Sequence, residues 1–123
     1  MPNCLGWTRV STKHQEDNGG SLDYQKGVCE QYALSNNMTI KGWYGGKHES
    51  AKTPGKMIKE MMQAAKKDKS IKYILVSEFD RFSRNAAQAL SLIKDLMAAG
   101  KVIIAVKNGT DTSTKEGYLM ATI

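Results

Sequence analysis

The sequence is poor in the residues that mark secreted, membrane-spanning or metal-organised proteins. Only two cysteines occur among 123 residues, too few for a disulfide framework. Both lie in apolar patterns, as buried reduced thiols do. The two histidines, His14 and His48, stand at no metal-ligand spacing from the cysteines, so no metal is expected. The longest unbroken aliphatic run is Val102–Val106, far short of a bilayer span. Residues 1–6 (MPNCLG) have neither a basic n-region nor an apolar h-region, so no secretory signal is expected and a cytoplasmic location is. Aromatics are 7% of the chain and do not interleave with a basic stripe, which argues against a stacking platform for single-stranded nucleic acid. Internal repeats, low-complexity tracts and internal linkers are missing as well.

What is present suits one small basic domain. Apolar residues make up 41% and charged residues 24%, with a net charge of +6, an ordinary balance for a globular fold with a single core. The basic residues divide unevenly. Of 18, fifteen are lysines and three are arginines: Arg9, Arg81 and Arg84. Codon bias in an AT-rich genome accounts for such a split, and so does reserving arginine for places that need a planar, bidentate donor.

Apolar periodicity alternates strand and helix. Residues 4–10 read as a strand, and Ser21 caps a helix with Leu22, Val28, Cys29, Tyr32 and Ala33 on one face. Asn36-Asn37 stops it. Residues 38–44 form a second strand, and Thr53-Pro54 opens a helix whose apolar stripe is Met57, Ile58, Met61, Met62 and Ala65. Residues 71–76 read as a buried central strand. Asn85 caps a helix with Ala89, Leu90, Leu92, Ile93, Leu96 and Met97 inward, and Gly100 ends it. Residues 102–106 form the next strand, 107–114 a loop, and a last helix begins near Thr114. This alternation predicts a three-layer α/β fold with a mostly parallel central sheet of four to five strands and helices on both faces. In such folds binding and chemistry gather at the C-terminal ends of the strands.

All three arginines fall at predicted strand ends. Arg9 and Ser11 are two apart and project to the same side of extended chain. Arg81 and Arg84 are one helical turn apart, where a helix N-terminus adds backbone N–H donors. A hydroxyl beside several guanidinium groups fits a phosphate site with the hydroxyl placed to attack, since arginine matches phosphate oxygens bidentately and stabilises transition-state charge. An Arg9–Asp80 or Arg81–Glu78 ion pair, with Ser11 an ordinary loop hydroxyl, accounts for the same spacing equally well. Other constellations fail. No serine stands in Gly-x-Ser-x-Gly. Gly55-Lys56 is followed by Met57 and lacks the first Walker glycine. Cys4 and Arg9 are one residue too close for a phosphatase loop. His14 reads better as a solvated loop histidine than as a base for Ser11.

The segments TRVSTKHQ (8–15), SLDYQ (21–25), HESAKT (48–53), FDRFSRN (79–85) and KNGTDTSTKEG (107–117) together resemble the serine site-specific recombinases, the resolvase/invertase group. They stand in the family's order along nearly the whole chain. The separation of Gln15 from Ser21 by EDNGG is similar to that of the large serine recombinases of phages and conjugative transposons. The resemblance implies a transesterase that cleaves and rejoins double-stranded DNA, without metal or nucleotide cofactor, through a 5′-phosphoserine formed by Ser11. It also implies a dimer and a synaptic tetramer in the full-length protein. Arg9, Arg81 and Arg84 would surround the scissile phosphate, Asp80 would orient an arginine or assist proton transfer, and Gln15 and Gln25 would support the site.

The family's further arginine after the Ser-Ala loop is not matched. Lys56 is the nearest cation, with Lys52 the other candidate to replace it, and Ser50 reads as a loop hydroxyl. Residues 1–123 are expected to be a catalytic domain cut before the long dimerisation helix and DNA-binding domains, and not to recombine DNA alone. Two readings from other classes stay open: a degenerate recombinase domain kept for interaction, and a receiver- or flavodoxin-like signalling domain with Asp80 as phosphoacceptor. The signalling reading lacks an acidic pair after the first strand.

Overall fold

The structure, a computed structural model, describes residues 2–9, 22–46, 56–78, 86–107 and 110–111. Eight elements alternate along these residues: β1 (Asn3–Arg9), α1 (Leu22–Ser35), β2 (Thr39–Gly46), α2 (Lys56–Lys67), β3 (Ile71–Val76), α3 (Ala86–Ala98), β4 (Val102–Ala105) and β5 (Thr110–Asp111). The four expected strands and the first three expected helices are therefore present, with β2 running two residues further than its periodicity indicated and β4 ending one residue sooner. Within the expected 107–114 loop, β5 pairs antiparallel with β4. The expected helix starts at Ser21, Thr53-Pro54 and Asn85, and the helix near Thr114, lie outside the described residues.

The sheet order is β2-β1-β3-β4-β5, and the first four strands are mutually parallel. Side chains alternate across it as a period of two requires. Leu5, Trp7, Ile74, Val76, Ile103 and Ala105 meet α2 and α3 through Ile58, Met61, Met62, Ala65, Ile93 and Leu96. Cys4, Leu75 and Ile104 turn to the opposite face and meet Cys29 and Ala33 of α1. The chain moves one way across the sheet through α1 and back the other way through α2 and α3. Among the described helices, crossovers of one hand then put α1 on one face and α2 and α3 on the other. The three-layer expectation holds.

Two inward stripes differ from their periodicity. On α1 the fully buried positions are Gln25, Cys29 and Ala33, with Val28 and Tyr32 half-buried, so the helix is rotated toward a polar residue. On α3, Met97 is 43% exposed, because Ile93 and Leu96 fill the seam and Met97 sits at its margin in the last turn. The stops behave as anticipated and share one motif. The N–H of Met38 reaches the carbonyl of Ala33 at 2.8 Å, and that of Lys101 reaches Leu96 at 2.8 Å. Asn37 and Gly100 take the positive φ values, 56° and 79°, that this left-handed closure needs.

The α1 face also depends on a glycine. A Cβ on Gly6 would lie 2.3 Å from the Trp43 indole, so the absent side chain is what lets Trp43 lie across β1. Gly6→Ala is expected to lower stability by about 1–3 kcal/mol through overpacking, and Trp43→Leu in that background to recover part of it, both read by urea denaturation.

On the same face Cys4 and Cys29 are free and fully buried. Burial pushes the Cys4 thiol up to about 11 and, with the Cys4 and Glu30 charges adding, Cys29 up to about 12. Thiols of an unfolded chain ionise near pH 8.5 while these stay protonated, so the folded state is fully favoured below that pH and loses stability as pH rises toward 11–12. Urea midpoints should fall between pH 9 and 10 in the native sequence and stay flatter in a Cys4→Ala/Cys29→Ala variant.

Candidate functional site

The strand order places a topological switch point between β1 and β3. The chain leaves β1 toward α1 on one face and leaves β3 toward α3 on the other, so a crevice opens beyond their C-terminal ends. The last β1–β3 pair is Trp7↔Val76. Beyond it Thr8, Arg9 and Ser77 are buried, with Arg9 keeping 8% exposure.

Gln25 holds the end of β1 in place. Its carboxamide oxygen accepts from the Arg9 backbone N–H at 3.0 Å, and its Nε2 donates to the Arg9 carbonyl at 2.9 Å. One side chain thus satisfies both backbone groups of a residue that has run past its β3 neighbour. Being 1% exposed, it does so out of water, where such bonds are hardest to replace. Gln25 stands four and eight residues before Cys29 and Ala33, and so lies on the line of α1 that the sheet buries.

On the other side Gly45 closes the gap between β2 and β1. It has φ of 86°, and a Cβ there would lie 2.0 Å from the Thr8 carbonyl oxygen. Only glycine lets the two strand ends approach this closely. At the far rim Lys107 extends the β3–β4 pairing, its N–H reaching the Ser77 carbonyl at 2.8 Å.

Of the residues singled out from sequence, Arg9 and Gln25 are brought together in this way. Ser11, Gln15, Ser50, Lys52, Asp80, Arg81 and Arg84 lie outside the described residues. The backbone of Lys56 opens α2, and its side chain lies outside them too. Among the described residues no group of three His, Cys, Asp or Glu side chains could hold a metal, and no helix is long and apolar enough to cross a membrane.

The family model described as "Resolvase, N terminal domain" matches residues 4–123. The chain belongs to the resolvase N-terminal domain family. Solved relatives of this resolvase domain agree in fold. The N-terminal catalytic domain of TP901-1 integrase superposes with a TM-score of 0.80 at 25% identity, over 98% of this chain and 88% of that one. A resolvase family site-specific recombinase from Streptococcus pneumoniae gives 0.82 at 30% identity, over 99% and 82%. The C-terminal catalytic domain of ISC1926 TnpA, an IS607-like serine recombinase, shares the fold at 0.69 and 17% identity, over 85% and 67%. No curated relative matches the chain. The resolvase domain is thus a site-specific recombinase catalytic domain, and the signalling-domain reading falls.

Gln25→Leu keeps the volume of the side chain and removes both bonds to Arg9. Each backbone group left unpaired should cost roughly 1–3 kcal/mol, read as a lower urea midpoint together with faster hydrogen exchange of the Arg9 amide.

Proposed function

We propose that this domain cleaves and rejoins duplex DNA by transesterification at Ser11. The observation that carries the reading is the fixed end of β1 at the switch point. Arg9 is mostly buried, its backbone is clamped by Gln25, and Ser11 follows two residues later. A guanidinium carried on a backbone fixed before substrate arrives needs less reorganisation when charge builds on a phosphate.

In this reading the Ser11 Oγ attacks a backbone phosphorus. An Oγ–P bond forms and the bond to the 3′ oxygen breaks, leaving a 5′-phosphoserine and a free 3′-hydroxyl that takes up the proton Ser11 releases. The diester energy stays in the phosphoserine bond, so the 3′-hydroxyl of a partner strand reverses the step without cofactor or nucleotide. Arg9, Arg81 and Arg84 neutralise the non-bridging oxygens, and Asp80 orients an arginine or assists proton transfer. Gln15 and Gln25 support the site, Gln25 through the Arg9 backbone. Lys56 or Lys52 takes the place of the family's further arginine with charge but without the bidentate fork, and Ser50 serves as a loop hydroxyl. The chain acts as the catalytic module of a longer recombinase that dimerises and forms a synaptic tetramer on two DNA sites. Alone, it binds DNA weakly and does not recombine it.

The complete gene product, incubated with a nicked suicide duplex carrying its recombination site, should form a protein–DNA adduct that survives denaturant. Ser11→Ala should abolish the adduct, and Arg9→Ala should slow its formation by about 10²–10³-fold. No adduct from the native protein would mean a degenerate domain kept for interaction.

A further inference from the structure

A second set of contacts runs along the C-terminal rim of the sheet, among residues with no role in the proposed chemistry. The Lys107 ammonium lies 3.3 Å from the Glu78 carboxylate and 5.1 Å from the centroid of the Tyr24 ring. Lys107 follows β4, Glu78 follows β3, and Tyr24 stands in the first turn of α1, one residue before Gln25. Backbone bonds tighten the same corner, from the Val106 N–H to the Val76 carbonyl at 2.9 Å and from the Lys107 N–H to the Ser77 carbonyl at 2.8 Å. Hydrogen bonds to Tyr24 and then Glu78 hold the Lys107 pKa above the ordinary lysine range, so the ammonium is charged throughout neutral pH.

Stability alone gives a weak reason for this arrangement. The Lys107 and Glu78 side chains are 42% and 35% exposed, and ion pairs so open to water contribute little to folding. Their position in the chain gives a better one. Glu78 directly precedes residues 79–85, where Asp80, Arg81 and Arg84 lie, and Tyr24 directly precedes the clamp on Arg9. The two segments that carry the proposed phosphate site follow different strands, β1 and β3, whose ends flank the switch-point crevice. The Lys107 side chain touches both the exit of β3 and the helix that fixes the exit of β1.

We propose that Lys107 is a positioning residue for strand cleavage, holding the exit of β3 to the first turn of α1 through Glu78 and Tyr24. The inference rests on the transesterase reading. Its ammonium acts on geometry rather than on the phosphate, and the corner it ties is built from side chains that a phosphate contact would not need.

The test uses the complete gene product and the same nicked duplex, with adduct formation timed at saturating DNA, duplex affinity measured against salt, and stability measured in urea. Lys107→Met should slow adduct formation about tenfold, as a small misplacement of reacting groups does, with affinity and urea midpoint nearly unchanged. Lys107→Arg, which can pair with Glu78 and lie over Tyr24, should recover most of the rate. Tyr24→Leu and Glu78→Gln should each slow the step, and Glu78→Gln combined with Lys107→Met should be no slower than Lys107→Met alone.

Four outcomes overturn the proposal. They are a native rate in Lys107→Met; a loss confined to affinity with a reduced salt dependence, which marks a phosphate contact; recovery of the native rate in the double variant, which marks simple cancellation of the Glu78 charge; and a rate loss matched by an equal loss of stability. Absence of any adduct from the native protein would instead sink the transesterase reading itself, so the two failures are distinguishable.

Discussion

Everything proposed for this domain depends on one side-chain amide meeting one backbone unit. β1 is the strand on which the site is built, and its last residue stands beyond the final β1–β3 pair, Trp7↔Val76. A strand end of that kind, buried and short of a neighbour, has an N–H and a carbonyl to satisfy without water. Gln25 satisfies both from α1. The amide accepts and donates side by side in a single plane, as a peptide group does, so it reproduces what a further residue of β3 would have offered. The β3 chain is thereby free to turn away toward the opposite face, and the crevice exists because Gln25 does a strand's job at its wall.

The α1 layer is organised around the same requirement. Its buried line runs Gln25, Cys29, Ala33, one polar residue followed by two small ones. Small residues let the helix approach the sheet closely, and Gly6 removes the bulk beneath Trp43. The opposite layer, with Trp7 and the methionines of α2 in its core, is filled by large side chains. One face is therefore packed by volume and the other set by close approach, and it is the close face that aligns the clamp.

Much of this was legible in the sequence because the signals are local. Strand alternation, the Asn36-Asn37 and Gly100 stops, and the Met57–Ala65 stripe depend on nearest neighbours along the chain, and the elements formed where those patterns lie. The rotation of α1 was less legible. Val28 and Tyr32 outweigh Gln25 on any scale of apolarity, and only the need of the Arg9 backbone, sixteen residues away, turns the glutamine inward. β5 was missed for a related reason, since two residues, Thr110 and Asp111, carry no periodicity and become a strand by pairing with Ala105 and Ile104. Of the site, the sequence motifs name Ser11 and the arginines at 81 and 84, while what the fold adds is the clamp at Arg9 and the corner at Lys107. Both are side-chain to backbone or cross-element contacts, which no spacing rule encodes.

The position of β1 within the sheet has a consequence for how the protein comes into being. The first strand to be synthesised lies between β2 and β3, and its partners run as late in the chain as Ile71–Val76. Until those residues have left the ribosome, Leu5 and Trp7 have β2 on one side and no strand on the other. The nascent chain must therefore carry one edge of β1 unpaired through the making of more than half the domain. Folding dominated by such distant pairings is slow and exposed to aggregation. A clamp formed early between α1 and β1, both within the first third of the chain, would give that waiting strand its earliest partner.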